Sequence, residues 1–261
     1  RALLVQSLHP GALAGVHDFS AYKDDVLGRL ARTIRWIFTV TYGDTAAARA
    51  ASDRVLRMHE RDRGGYTDAR GAPRSYSAND PHLLRWVHLA FTDAFLAAER
   101  TYGGPVPGGG DWYVAEWAAA GELMGVPDPP RSVAQLRRQL AGYDGELVAD
   151  ARVAEVVALL RDPPLPASQR LGYRILFAGA VATLEPGYRR LLGLEVPSLG
   201  PAPLPVRAAT RAALAVVRFG LGRTGPTEAA ARRRIARLRA GQRPVQPGRG
   251  SDAVPDMQKR P

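Results

Sequence analysis

Cysteine is absent from this 261-residue chain. Disulfides, thiolate metal sites and cysteine nucleophiles are therefore excluded, and the redox compartment is left open. Long apolar runs are missing too. The longest, Ile175 to Leu184, holds ten residues, about half of what a bilayer-spanning helix requires. No signal-peptide pattern opens the chain, which begins at Arg1, so a soluble, cytoplasmic protein is the expectation. Alternating strand patterns and fixed-period repeats are lacking. So are several catalytic signatures: there is no His-Glu-x-x-His, no Gly-x-x-x-x-Gly-Lys and no Gly-x-Ser-x-Gly. Glu116 and Glu122 lie six apart on one expected helix, and a di-iron bundle would need more inward carboxylates with Glu-x-x-His spacing.

Acidic residues are scarce in one place only. The net charge is +11, yet from Val206 onward 13 Lys+Arg face 3 Asp+Glu, and residues 1–205 hold 23 against 22. The body is neutral and the basicity is C-terminal. That segment suggests weak contact with an anionic membrane. Nucleic acid is not the expected partner, because no aromatic is interleaved beyond Phe219.

What is present is helical periodicity and enough apolar residue, 46%, for a real core. Arg1 to Gly15 reads as a helix interrupted at His9-Pro10. His17 to Ser20 reads as a polar turn. Val26, Leu30, Ile34 and Ile37 space out a helix to about Thr41, and Asp44 or Thr45 caps the next, which Gly64-Gly65 breaks. Tyr66 to Asn79 is a loop or a hairpin of very short strands. Asp80-Pro81 starts a helix carrying Leu84, Val87, His88, Phe91 and Phe95. Asp111 caps a helix with Trp112 and Trp117, and Ser132 caps Val133 to Leu140. Further helices are expected at about 147–161, 168–182 and 186–192. Pro197 to Pro205 closes the compact part, so the division is a helical domain over 1–204 and a basic extension over 205–261. The extension holds helices near 206–221 and 226–240 and a disordered tail. The class is all-α.

Chemistry concentrates between Gly28 and Arg63. On a helix Arg29, Arg32 and Thr33 stand at i, i+3 and i+4 and share a face. His59 and Arg63 repeat the i, i+4 relation on the next helix. Two guanidiniums, a hydroxyl and an imidazole facing inward need partners, because unpaired buried charge is costly. A ligand with an acidic edge and a metal centre satisfies them, and haem is such a ligand: iron takes the imidazole and propionates take arginines. His88, on an apolar face beside Trp86, is open as a second ligand, a hydrogen-bond donor or a packed histidine. His9 reads as structural, His17 as able to reach the pocket, and His82 as exposed.

The order of these motifs resembles the MpaB oxygenase family, which groups fungal MpaB-type proteins with the catalytic domain of the bacterial latex-clearing rubber oxygenase. The likeness runs from His9-Pro10 and His17-Asp-Phe-Ser20 through Arg29-x-x-Arg32-Thr33 and His59. It continues through Tyr76-Ser-Ala-Asn-Asp80-Pro81, Trp86-Val-His88, Asp111-Trp-Tyr113 with Glu116 and Leu123-Met-Gly-Val-Pro127 to Leu184-Glu-Pro186-Gly-Tyr-Arg189, about residues 1–195. The resemblance implies an all-α, globin-like core with haem b and a histidine as proximal iron ligand. It puts that ligand on His59, an arginine one turn later on Arg63, and the reacting side on Arg29, Arg32 and Thr33; His88 is the further candidate for a cofactor contact from its own apolar setting. Arg32 stands where the rubber oxygenase pattern has lysine, a different cation at such a site. No carboxylate is evident for the expected base; His9 and His17 are the nearest polar candidates. The expected activity is haem-dependent oxygenation, with O2, of an apolar, isoprenoid- or lipid-like small molecule, its pocket lined by residues such as Trp36, Val87 and Phe91. The alternative is a helical protein that holds haem or lipid without turnover.

Overall fold

The computed structural model describes residues 1–19, 26–199, 202–222 and 224–241. Among them are twelve α-helices and two small antiparallel hairpins, so the chain is all-α. The segment expected as a tail, beyond residue 241, and the turn residue Ser20 lie outside the described residues.

Proline and capping side chains set most helix starts. α1 (Ala2–Gln6) ends before His9, and α2 (Pro10–Phe19) begins on the proline itself. Pro10 thus opens a new helix, since its missing N–H is no loss at a first position. His17 belongs to α2 and not to a turn; its side chain is outside the described residues. α3 (Val26–Tyr42) and α4 (Thr45–His59) form a helical hairpin, with Asp44 accepting the Ala47 N–H at 2.8 Å as N-cap of α4. Strands β1 (Arg63–Thr67) and β2 (Pro73–Ser77) follow and pair antiparallel, Arg63 opposite Ser77.

α5 (Pro81–Ala98) is the central helix. Asp80 caps it through the His82 N–H, Pro81 stands in its first turn, and Trp86, Leu89 and Ala90 are wholly buried on it. A short π-helical turn (Glu99–Gly103) leads to α6 (Gly109–Leu123). Asp111 does not cap α6. Gly108, in the left-handed conformation, precedes that helix, and Asp111 instead accepts the Val133 N–H of α7 (Val133–Ala141) at 2.8 Å. A glycine there spares the steric cost that a Cβ meets at positive φ.

After a single 3₁₀ turn (Asp144–Glu146), α8 (Ala151–Arg161), α9 (Ala167–Val181) and α10 (Pro186–Leu191) complete the core around α1 and α5. The hairpin β3 (Ser198–Leu199) and β4 (Ala202–Pro203) leads into α11 (Val206–Leu221), and α12 (Pro226–Gly241) ends the described chain. α11 lies on α9 at close range, for a Cβ on Gly179 would come within 2.4 Å of the Thr210 hydroxyl. α12 returns to α3, where Arg234 donates to the carbonyls of Tyr42 and Gly43 at 2.7 Å.

Candidate functional site

α4 turns a stripe inward at helical spacing: Ala48 and Ser52 are buried, Val55 and Leu56 follow, and His59 is its last residue. Ser52 accepts the Trp36 indole N–H at 3.3 Å, which locks α3 to α4. Trp36, Val55 and Leu56 then pack on Leu84 of α5 and on Met124 and Val126 beyond α6. This apolar seam seats the hairpin on the core and brings His59 to its edge.

The imidazole of His59 is partly buried, and burial holds its pKa below the ordinary value against the pull of Asp62 and Asn79, with Arg29 adding to the depression. Its Nδ1 is buried without a hydrogen-bond partner, and the Asn79 side chain lies close to the ring. The Asn79 amide is fixed by donation of Nδ2 to the Leu56 carbonyl at 2.9 Å. Nε2 of His59 makes no hydrogen bond among the described residues.

Arg29 comes to the same place from α3. Burial lowers its pKa and the Asp62 carboxylate opposes that shift; a guanidinium stays charged regardless. It donates to the Val16 carbonyl of α2 at 3.4 Å. Asp62 accepts the Tyr76 hydroxyl at 3.2 Å, and Gly15 of α2 passes so near that a Cβ there would lie 3.3 Å from the Tyr76 ring. Arg29, His59, Asp62, Tyr76 and Asn79 thus form one polar group where α2, α3, the end of α4 and the β1–β2 hairpin meet.

The nominated residues do not all converge there. Thr33 lies on the inner side of α3, but its hydroxyl is spent on the Arg29 carbonyl at 3.2 Å. Arg32 is exposed, because the inward face of α3 runs through Arg29, Thr33, Trp36 and Val40 and leaves position 32 to one side. Arg63 is not one helical turn beyond His59. α4 stops at His59, and Arg63 is the exposed first residue of β1, its Nε on the Glu60 carbonyl at 3.2 Å. Pairing with β2 pulls the chain out of the helix there. Val87 packs into the main core and Phe91 stacks on Phe95, so neither joins Trp36 in the apolar seam.

His88 is a separate feature. It is 6% exposed, its Nε2 is buried without a partner, and burial pushes its pKa down to about 4. Gly121 of α6 lies against the ring: a Cβ there would sit 2.9 Å from Cε1. The indole N–H of Trp117, also on α6, is likewise buried and unpartnered. Glu116 and Glu122 are both exposed.

Asp62 and Asn79 were not singled out by sequence. Asp62 looks like one more charge in Glu60-Arg-Asp-Arg63, and only the turn that ends α4 brings it back beside His59.

A second polar cluster joins His9, His82 and Glu146. Glu146 Oε2 lies 3.2 Å from His9 Nε2 and 2.8 Å from His82 Nε2. Two imidazoles and a carboxylate suggest a metal centre, but the tautomer argues otherwise. His9 Nδ1 accepts the N–H groups of Gly11 at 3.2 Å and Ala12 at 3.4 Å, so the ring caps α2. The neutral ring's proton is then on Nε2, donated to Glu146. A cation at Nε2 would force a proton onto Nδ1, against two N–H donors. The cluster is a clamp between α2, α5 and the 3₁₀ turn. Two surface clefts, one around Glu122, Asp128 and Arg131 and one around Arg161, Arg174 and Phe177, include none of the nominated residues.

No helix of the described chain is long and apolar enough to cross a membrane. No curated protein and no solved structure matches the chain at a significant level. One family model does, that of the ER-bound oxygenase mpaB/B′/rubber oxygenase catalytic domain, over residues 1–219. The match takes in every element from α1 to nearly the end of α11, the polar group at His59 included; the chain belongs to this family of oxygenases.

Proposed function

We propose that the chain is a haem b-dependent oxygenase acting with O2 on an apolar, isoprenoid- or lipid-like substrate, with His59 as iron ligand. The observation that carries this reading is the state of His59, a partly buried imidazole beside Arg29, Asp62 and Asn79 whose buried Nδ1 has no hydrogen-bond partner. A metal-bound imidazole gives one nitrogen to the metal and the other N–H to an acceptor. Asn79 suits the second role, since its Nδ2 is committed to Leu56 and its buried Oδ1 lacks a well-formed bond. Burial also keeps His59 neutral, the form that ligates. The donor set fits a haem.

In this reading Arg29 holds a propionate, and Arg32 and Arg63 are able to do so from the surface. His88 offers an unbonded nitrogen to a polar group entering the α5–α6 seam. The chemistry a bound haem supplies is redox exchange with O2 at iron. Asp62, beside Arg29 and bonded to the Tyr76 hydroxyl, is the group able to take a proton from substrate. Trp36, Val55, Leu56, Leu84 and Met124 exclude water from one side and favour an apolar partner.

The test is oxygen uptake by haem-loaded protein given an unsaturated isoprenoid lipid, a saturated lipid of equal length, or a water-soluble phenol. Uptake with oxygen incorporated into the isoprenoid is expected. It should fall on the order of 10–100-fold in Asp62→Asn with haem content unchanged. Uptake with the phenol alone, or none with any substrate, overturns the proposal.

A further inference from the structure

The α3–α4 hairpin is rooted at one end and clasped at the other. Its roots lie at the polar group, where Arg29 reaches the Val16 carbonyl and α4 ends on His59 shortly before β1. Its far end is the turn at Gly43 and Asp44. α4 has 15 residues, so at 1.5 Å per residue that turn stands about 20 Å from His59. Between the two, Trp36, Val55 and Leu56 rest on Leu84, Met124 and Val126. Among the described side chains none of α3 is buried, and only Ala48 and Ser52 of α4 are. So thinly buried an element opens well before the rest of a fold. The far end is held by α12. Ala231 is buried there, and Arg234, one turn on along the same face, donates from one guanidinium nitrogen to the Tyr42 and Gly43 carbonyls. The end of a helix leaves carbonyls without intrahelical partners and carries partial negative charge, which suits a guanidinium. α12 is steadied by Glu228 of its first turn, which accepts from Arg232 at 2.6 Å. The preceding helix α11 is tied to the body, through Thr210 on the Ile175 carbonyl and Arg211 on that of Thr101.

We propose that α12 is a strap that holds the α3–α4 hairpin closed over the polar group at His59, and that release of Arg234 from the end of α3 lets the hairpin swing and admits solutes to that group. Position gives the contact its leverage. A tie at the turn, about 20 Å from the roots, opposes rotation of the hairpin more strongly than an equal tie beside His59. Both of its hydrogen bonds come from a charged donor, the stronger kind, and one side chain carries both. α12 lies beyond the residues matched by the family, so the strap is additional to the helices it holds. It governs access, and does so whichever ligand the polar group takes.

The experiment follows amide hydrogen exchange by mass spectrometry, and modification of His59 by diethyl pyrocarbonate, in the full chain without added ligand. It compares the native sequence with Arg234→Ala, Arg234→Lys and Arg233→Ala. In Arg234→Ala, exchange throughout α3 and α4 and modification of His59 should each quicken on the order of tenfold, while α5 and His88 keep native rates. Arg234→Lys, which keeps a charged donor, should recover part of the protection. Arg233→Ala, at an exposed position of the same helix, should behave as native. Quickening confined to residues 40–45 would make Arg234 a local cap and overturns the proposal. So does an equal gain in α5, which marks loosening of the whole fold, or a His59 rate unchanged in Arg234→Ala.

Discussion

At the scale of single residues, two histidines of similar sequence appearance have been given different surroundings. His59 sits at a helix end beside Arg29, Asp62 and Asn79, whereas His88 is enclosed by α6 and has only burial acting on it, down to a pKa of about 4. Its neutral ring touches Gly121 so closely that a methyl group has no room. Gly121→Ala should therefore destabilise the protein by about 1–3 kcal/mol through overpacking, although alanine is the better helix former. Denaturant unfolding of the variant checks this, and an unchanged or raised midpoint would show that the seam yields. The candidacy of His59 was legible as residue type and spacing. That of Asp62 was not, since a carboxylate three residues past a histidine gains meaning only from the turn that follows.

At the scale of elements, α2 links the two polar clusters. Its first turn is capped by His9 and clamped through Glu146 to α5, and its later turns cover Asp62 and Tyr76 and receive Arg29. Burial outweighs the attraction of Glu146 and depresses His9; Glu146, which burial alone would raise, is held low by His82 and His9. The unfolded chain thus takes up protons at His9 and His88 from about pH 6.5 downward while the fold refuses them. Stability present above that value is lost as pH falls, and Glu146 adds its own loss below about 4.5. His88 alone accounts for on the order of 3 kcal/mol of this. The melting temperature of the apoprotein should fall steadily from pH 7 to 4.5, starting lower in Glu146→Ala, which strips the clamp. A flat profile over that range would mean that these rings charge freely in the fold.

Helix existence was readable throughout because capping residues and apolar spacing agree, as at Asp44, Asp80-Pro81 and Ser132. The misreadings fall where a tertiary partner redirects a local signal. Asp111 caps nothing on its own helix because the Val133 N–H claims it. Arg63 leaves the helical pattern because Ser77 pairs with it.

At the scale of the whole molecule, α11 is a packed part of the body, through Thr210 against Gly179. The proline run at 197–205 suggested a boundary from composition. The buried Val206 and Thr210 beyond it belong to contacts that composition does not reveal. The polar group at His59 lies elsewhere, with a neutral body around it, and its identity as a haem site is the central claim. The direct measurement is haem and iron per chain, with the absorption spectrum, in protein made with haem supplied, for the native sequence, His59→Ala and His88→Ala. About one haem per chain is expected, with a Soret band that shifts with cyanide or CO. Haem should be lost in His59→Ala, and His88→Ala should keep haem with an altered spectrum. A His59→Ala protein with full haem and a native Soret band, or a native chain that takes up none, would contradict it.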